Sequence, residues 1–198
     1  MPDKRKIRVG SLLWKELKKN TSTNIKDFRR ELQKIRSTTG VSCFSEKCDS
    51  LLMWAHYAHN HKGMCVEYDL SKFNSILGFT PAPVIYDNEK IRLQTIDPNN
   101  IFVFLTNSLL HKSLEWSYEN EWRIIRDSGS CGELWNYEKK GALLSSIRPS
   151  SIILGCDAEE QFSYKVKKLC NDNKIDLYKM EKDDIEYILN KKEVLIFK

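Results

Sequence analysis

The chain has 198 residues, with 32 Lys and Arg against 27 Asp and Glu, a formal net charge of +5, 41% hydrophobic and 11% aromatic residues. This composition excludes a mainly disordered chain and supplies enough large apolar side chains for a core. No stretch approaches the roughly 18 consecutive apolar residues of a membrane span, and charges fall where a signal peptide would carry its apolar segment. A cytoplasmic protein with no membrane association is therefore expected.

The basic excess is confined to the front: residues 1–36 hold 12 basic and 4 acidic residues, and the remainder holds 20 and 23. Such a segment suits contact with nucleic acid or a protein partner, and equally a solvated helix face. Ser11 to Lys19 is read as a short helix. Asn24 to Arg36 makes a better one, with Ile25, Phe28, Leu32 and Ile35 on one face. Gly40 ends this region and Val41 to Glu46 reads as a strand. Asp49 or Ser50 caps a helix from Leu51 to about Asn60, and Gly63 lies at the turn into a strand beginning at Met64. Asp69 is a cap for a helix through Ile76.

Pro81 to Asp87 predicts a strand entered through a proline turn. Asp97-Pro98 opens a helix with Ile101, Phe102, Leu105 and Leu109 on its buried side. Glu121 to Arg126 alternates as a strand, with Glu121, Arg123 and Ile125 on one face. There follow a short strand at Glu133 to Tyr137, a buried one at Ser151 to Leu154, a helix from about Asp157 to Cys170, and strands near Ile175 to Met180 and Val194 to Phe197. The expected fold is α+β, a single domain with a mixed, mostly antiparallel sheet packed with helices. Residues 24–198 form the domain, and 1–23 a basic helical extension.

The six cysteines include no C-x-x-C, so reduced thiols are expected, with Cys43, Cys65 and Cys156 as small buried hydrophobes. His56, His59 and His61 invite a metal, but they lack the H-E-x-x-H pattern, and no metal site is assigned. His56 and Tyr57 beside Trp54 could line a pocket for a flat ligand, or belong to a hydrogen-bonded core. In Trp116-Ser-Tyr-Glu-Asn-Glu-Trp-Arg123, Glu119 and Glu121 project together if the strand begins by Glu119. Two like charges so placed require a raised pKa or a nearby cation such as Arg123. The plainer reading is a Glu121 to Arg pair that stabilises strand pairing.

Several separated motifs together resemble the bacterial family called domain of unknown function 2971: Cys43-Phe-Ser-Glu46, Leu52-Met-Trp-Ala-His-Tyr-Ala58, His61-Lys-Gly63, Glu67-Tyr-Asp69, Pro83-Val-Ile-Tyr86, Tyr118-Glu-Asn-Glu-Trp-Arg-Ile-Ile125 and Ile152-Ile-Leu-Gly155. The resemblance spans residues 24–180. It implies an opening segment that this chain replaces with its basic stretch, and so a shortened member is expected. The Glu119-x-Glu121 pair is similar to the layout of ADP-ribosyltransferases. That likeness implies an ADP-ribosyltransferase-like fold with NAD as cofactor, Glu121 as catalytic carboxylate, Glu119 orienting the acceptor, and His56 or Tyr57 on the dinucleotide. The resulting candidate nucleotide pocket comprises Ser45, Glu46, Trp54, His56, Tyr57, Lys62, Glu121 and Arg123. The alternatives are a non-catalytic interaction or nucleic-acid-contacting module, and an inactive shortened family member.

Overall fold

A computed structural model describes residues 30, 33, 37, 39–71, 81–89, 101–127, 135–136, 141–142 and 147–197. The fold is α+β with mixed and antiparallel sheets. The described strands are β1 (Thr39–Ser45), β2 (Met64–Glu67), β3 (Ala82–Pro83), β4 (Ile85–Asp87), β5 (His111–Ser113), β6 (Glu121–Asp127), β7 (Trp135–Asn136), β8 (Gly141–Ala142), β9 (Ser151–Leu154), β10 (Asp176–Lys182) and β11 (Leu189–Leu195). The described helices are α1 (Leu51–Tyr57), α2 (Ile101–Leu110) and α3 (Glu160–Asn173), with a 3₁₀ turn at Leu114–Glu119. Strands β1, β6 and β3 form one sheet in that order, and β11, β10, β9 and β2 form another.

The chain divides into two compact units, each assembled from three stretches. The first takes its described residues from Met1–Ser42, Pro83–Trp116 and Arg123–Leu143, the second from Cys43–Ala82, Ser117–Trp122 and Leu144–Lys198. The first unit contains α2 and the parallel pair β4 and β5, with Ile85 opposite His111. Strands β7 and β8 pair antiparallel. Arg30, Gln33 and Ser37 are helical and exposed, as suits the polar side of the helix expected from Asn24. The apolar residues of that helix, the Ser11 to Lys19 helix, the boundary at residue 23 and the Asp97-Pro98 start lie outside the described residues.

The second unit is built around β9, the four-residue run Ser151-Ile-Ile-Leu154, buried at every position. A strand buried on both faces reads as a continuous apolar run. Here β9 pairs parallel with β10 and antiparallel with β2, and β10 pairs antiparallel with β11 through a register shift between Leu177 and Tyr178. The parallel pair requires a crossover, which α3 supplies. Ile152 and Leu154 pack with Val166, Cys170, Ile175 and Leu177. Ile153, which points the other way, packs with Trp54, Ala58, Met180 and Leu189.

Several boundaries differ from the sequence reading. Pro81 to Asp87 forms two short strands in different sheets, broken at Val84, because a proline within β3 removes a ladder donor. Helix α3 starts at Glu160 and runs to Asn173, since Asp157 and Ala158 are held in a turn by bonds to the carbonyls of His61 (3.1 Å) and Gly155 (3.2 Å). The last strand begins at Leu189, well before Val194. Cys43 is exposed on β1 and Cys65 and Cys156 are half-buried, while Cys170 is fully buried. Thus the packed small hydrophobe is Cys170, on the sheet-facing side of α3, and not Cys43.

Candidate functional site

The site belongs to the second unit and starts from α1. Ser50 caps this helix, its side chain accepting from Met53 N–H, as a short polar residue before an apolar helix should. Trp54 is the buried anchor, and its indole N–H donates to the Cys48 carbonyl at 2.6 Å. After Tyr57 the chain turns through His59, Asn60 and His61, with φ of 50°, 52° and 64°. Three successive left-handed residues are strained. They are held by bonds from His61 N–H to Trp54 O (3.2 Å) and from Gly63 N–H to Ala58 O (2.8 Å). The His61 carbonyl lies so close to Gly155 that a Cβ there would sit 1.9 Å from it.

On the exposed end of α1, Tyr57 donates its hydroxyl to Glu119 Oε1 at 2.7 Å. Glu119 is 2% exposed, and a buried carboxylate needs such donors. Ser45 Oγ donates to the Glu119 carbonyl at 2.6 Å and accepts from Lys47 N–H at 3.0 Å. Glu46 N–H donates to Asn120 O at 3.3 Å, and Trp122 Nε1 donates to Glu46 Oε1 at 2.6 Å. Residues Cys43 to Glu46, the end of α1 and Ser117 to Trp122 are thereby tied together.

Of the residues expected from sequence, Ser45, Tyr57 and Glu119 meet directly, and Glu46 joins through Asn120 and Trp122. Glu119 does not share a strand face with Glu121. It ends the 3₁₀ turn, and Asn120 at φ 43° reverses the chain before β6 begins at Glu121. Glu121 is covered, 6% exposed. Trp54 is core. His56 is exposed, its ring 6.2 Å from that of Tyr57. Lys62 pairs with Glu159 at 3.8 Å. Arg123, in the first unit, donates to the Leu109 carbonyl. Trp122 is the partner that sequence reasoning missed; its indole donor in the Glu-Trp-Arg motif was the available signal.

An open cavity of about 200 Å³ also borders α1 and β2, with Trp54 and Tyr57 in its wall and His56 outside it. This is below the roughly 300 to 1,000 Å³ of drug-sized ligand pockets. Among the described residues no group of three or more His, Cys, Asp or Glu is placed to hold a metal, and no helix is long and apolar enough to cross a membrane.

No curated protein and no solved structure matches the chain. Residues 53–124, which include most of α1 and the Glu119 to Trp122 segment, match the family described as "Protein of unknown function (DUF2971)". Over that segment the chain is similar to this family.

Proposed function

We propose that the second unit binds a nucleotide at the exposed end of α1 and carries ADP-ribosyltransferase-like chemistry. A flat ring stacks on the outer faces of Tyr57 and His56, and the Tyr57 and Glu119 pair meets a ribose hydroxyl. The observation that carries this reading is the 2.7 Å bond between Tyr57 and Glu119, which ties the Glu-x-Glu segment to the aromatic helix end. With NAD, the bond between the nicotinamide nitrogen and the ribose would break with positive charge developing on the sugar. Glu121 supplies the negative charge that stabilises it, and Glu119 orients the acceptor.

A second reading is favoured by the burial of both carboxylates, 2% and 6% exposed. Covered carboxylates with hydrogen-bond donors hold segments together as readily as they catalyse. The cluster would then frame a non-catalytic module whose basic residues 1–36 contact nucleic acid or a protein. A thermal-shift titration with NAD, ADP-ribose, ATP and nicotinamide separates the two. A ligand that binds only the folded chain, at about 100 times its Kd, stabilises by about 2.7 kcal/mol. The enzyme reading expects such a rise with NAD or ADP-ribose, weakened in Glu121→Gln and in Tyr57→Phe. No rise with any of the four, in a chain that melts cooperatively, overturns it in favour of the second reading.

A further inference from the structure

The open cavity of about 200 Å³ beside α1 and β2 has aromatic walls whose polar atoms are already bound. The Trp54 indole N–H donates to Cys48 O at 2.6 Å, and the Tyr57 hydroxyl donates to Glu119 Oε1 at 2.7 Å. These bonds fix both rings and leave their carbon surfaces for an occupant. Met53 and Met64 also line the cavity, and thioether sulfur makes favourable contacts with aromatic rings. Burial raises the Cys48 thiol and pushes the Cys65 thiol up to about 11. Both are neutral at physiological pH, so the lining holds no anion.

Lys47 is the one charged residue of the lining, and it is exposed. Among the described residues no carboxylate pairs with its ammonium. Of the acidic residues nearest it in sequence, Glu46 accepts from Trp122 and Asp49 lies outside the lining. A cavity with apolar walls and one unpaired cation suits a ligand with an apolar body and one anionic end.

We propose that this cavity binds a small aromatic carboxylate, with its ring against Trp54 and Tyr57 and its carboxylate toward the Lys47 ammonium. This goes beyond the nucleotide reading, requires no reacting carboxylate of the protein, and shares only the Tyr57 ring with it. Size sets the class. A cavity of about 150 Å³ lined by apolar side chains accommodates benzene, so about 200 Å³ leaves room for one ring and a short carboxylate arm. A purine would carry its ring nitrogens against walls with no free donor, and unpaired buried polar atoms are costly. A single charge kept toward solvent avoids that cost.

The test uses the full chain with isotope-labelled methionine methyl groups, titrated with phenylacetate and followed by NMR. Ring currents from the bound ligand should shift the Met53 or Met64 methyl saturably, with a Kd of roughly millimolar or tighter for about ten non-hydrogen atoms. Met180, fully buried in the core, should stay in place. Acetate, which has the charge without the ring, should move neither lining methyl. Phenylacetamide has the same shape without the charge and should bind a few-fold more weakly, as loss of an exposed charge pair allows. In Lys47→Gln that preference should vanish while phenylacetamide still binds. The titration contains no NAD, so its failure and the failure of the nucleotide reading are separate results. Absence of a saturable shift at both Met53 and Met64 overturns the proposal. So does equal affinity for acid and amide in the wild-type chain, or a preference for the acid that survives in Lys47→Gln.

Discussion

The two faces of β9 are closed by different chemistry. Toward α3, Ile152 and Leu154 meet Val166, Cys170, Ile175 and Leu177, an almost wholly aliphatic cluster. Toward α1, Ile153 meets Trp54, Ala58, Met180 and Leu189, with Cys48, Cys65, Cys156 and Tyr178 around them. The buried members of the first cluster are aliphatic apart from the Cys170 thiol. The second requires an indole bond to Cys48 O, a strained left-handed turn, and a cavity left open at its margin. Close packing with aliphatic side chains serves stability, whereas polar handles, strain and a cavity are what a functional surface requires. One four-residue strand thus separates a stabilising layer from the layer that carries the candidate sites.

That contrast can be broken at three points. The largest effect is expected from Gly155→Ala. Its Cβ would meet the His61 backbone carbonyl at 1.9 Å, and backbone cannot move aside as a flexible side chain does. Loss of about 3 kcal/mol or more, or failure to fold, is expected in chemical denaturation. A variant of near wild-type stability would show that the turn after α1 is not held against β9.

Leu177→Ala comes next. It removes a fully buried side chain from the α3 face and should cost about 2 to 5 kcal/mol. The melting temperature should fall while affinities at the α1 face stay unchanged once measured below the transition. A selective loss of ligand affinity in a folded Leu177→Ala chain would erase the division between the two faces.

The smallest effect concerns Glu67, at the end of β2. Burial alone would raise its carboxyl, but hydrogen bonds from the Ser151 hydroxyl and the Lys191 ammonium, with the Lys191 charge, hold it below its ordinary value of 4.5. A carboxylate depressed on folding contributes stability that is present above its unfolded pKa and lost as pH falls through the folded one. Wild type should lose stability below about pH 4.5 more steeply than Glu67→Gln, with a modest difference because the pair is partly exposed. Identical acid profiles would remove Glu67 from the account.

Much of this was legible in the chain itself. Ser151 to Leu154 announced a doubly covered strand by its unbroken apolar run, and Ser50 announced α1 because a capping hydroxyl precedes Leu-Leu-Met-Trp. The strand from Glu121 was legible in its alternation, but whether Glu119 joins it was not. What ends the pattern is a single left-handed asparagine, a conformation local periodicity does not reveal. The need for Gly155 depends on the carbonyl of His61, far away in sequence, and the cavity depends on β2 meeting the region around α1. Both are products of tertiary packing, and neither leaves a short-range signature. Serine and glutamate at 45 and 46 stood out through the resemblance at Cys43 to Glu46, whereas their partners at Glu119 O, Asn120 and Trp122 required coordinates.

The pairing of Met64 with Leu154 across β2 and β9 has a consequence in time. A ribosome adding about 5 to 20 residues per second needs several seconds to make the chain between them. During that interval Trp54 and the thiols of Cys48 and Cys65 have emerged without the strand that will cover them. The nascent chain is then at its most vulnerable to oxidation and to capture by other apolar surfaces, and this ends only when β9 arrives and the loop closes. The α1 layer, which carries the candidate site, is thus made early and sealed late.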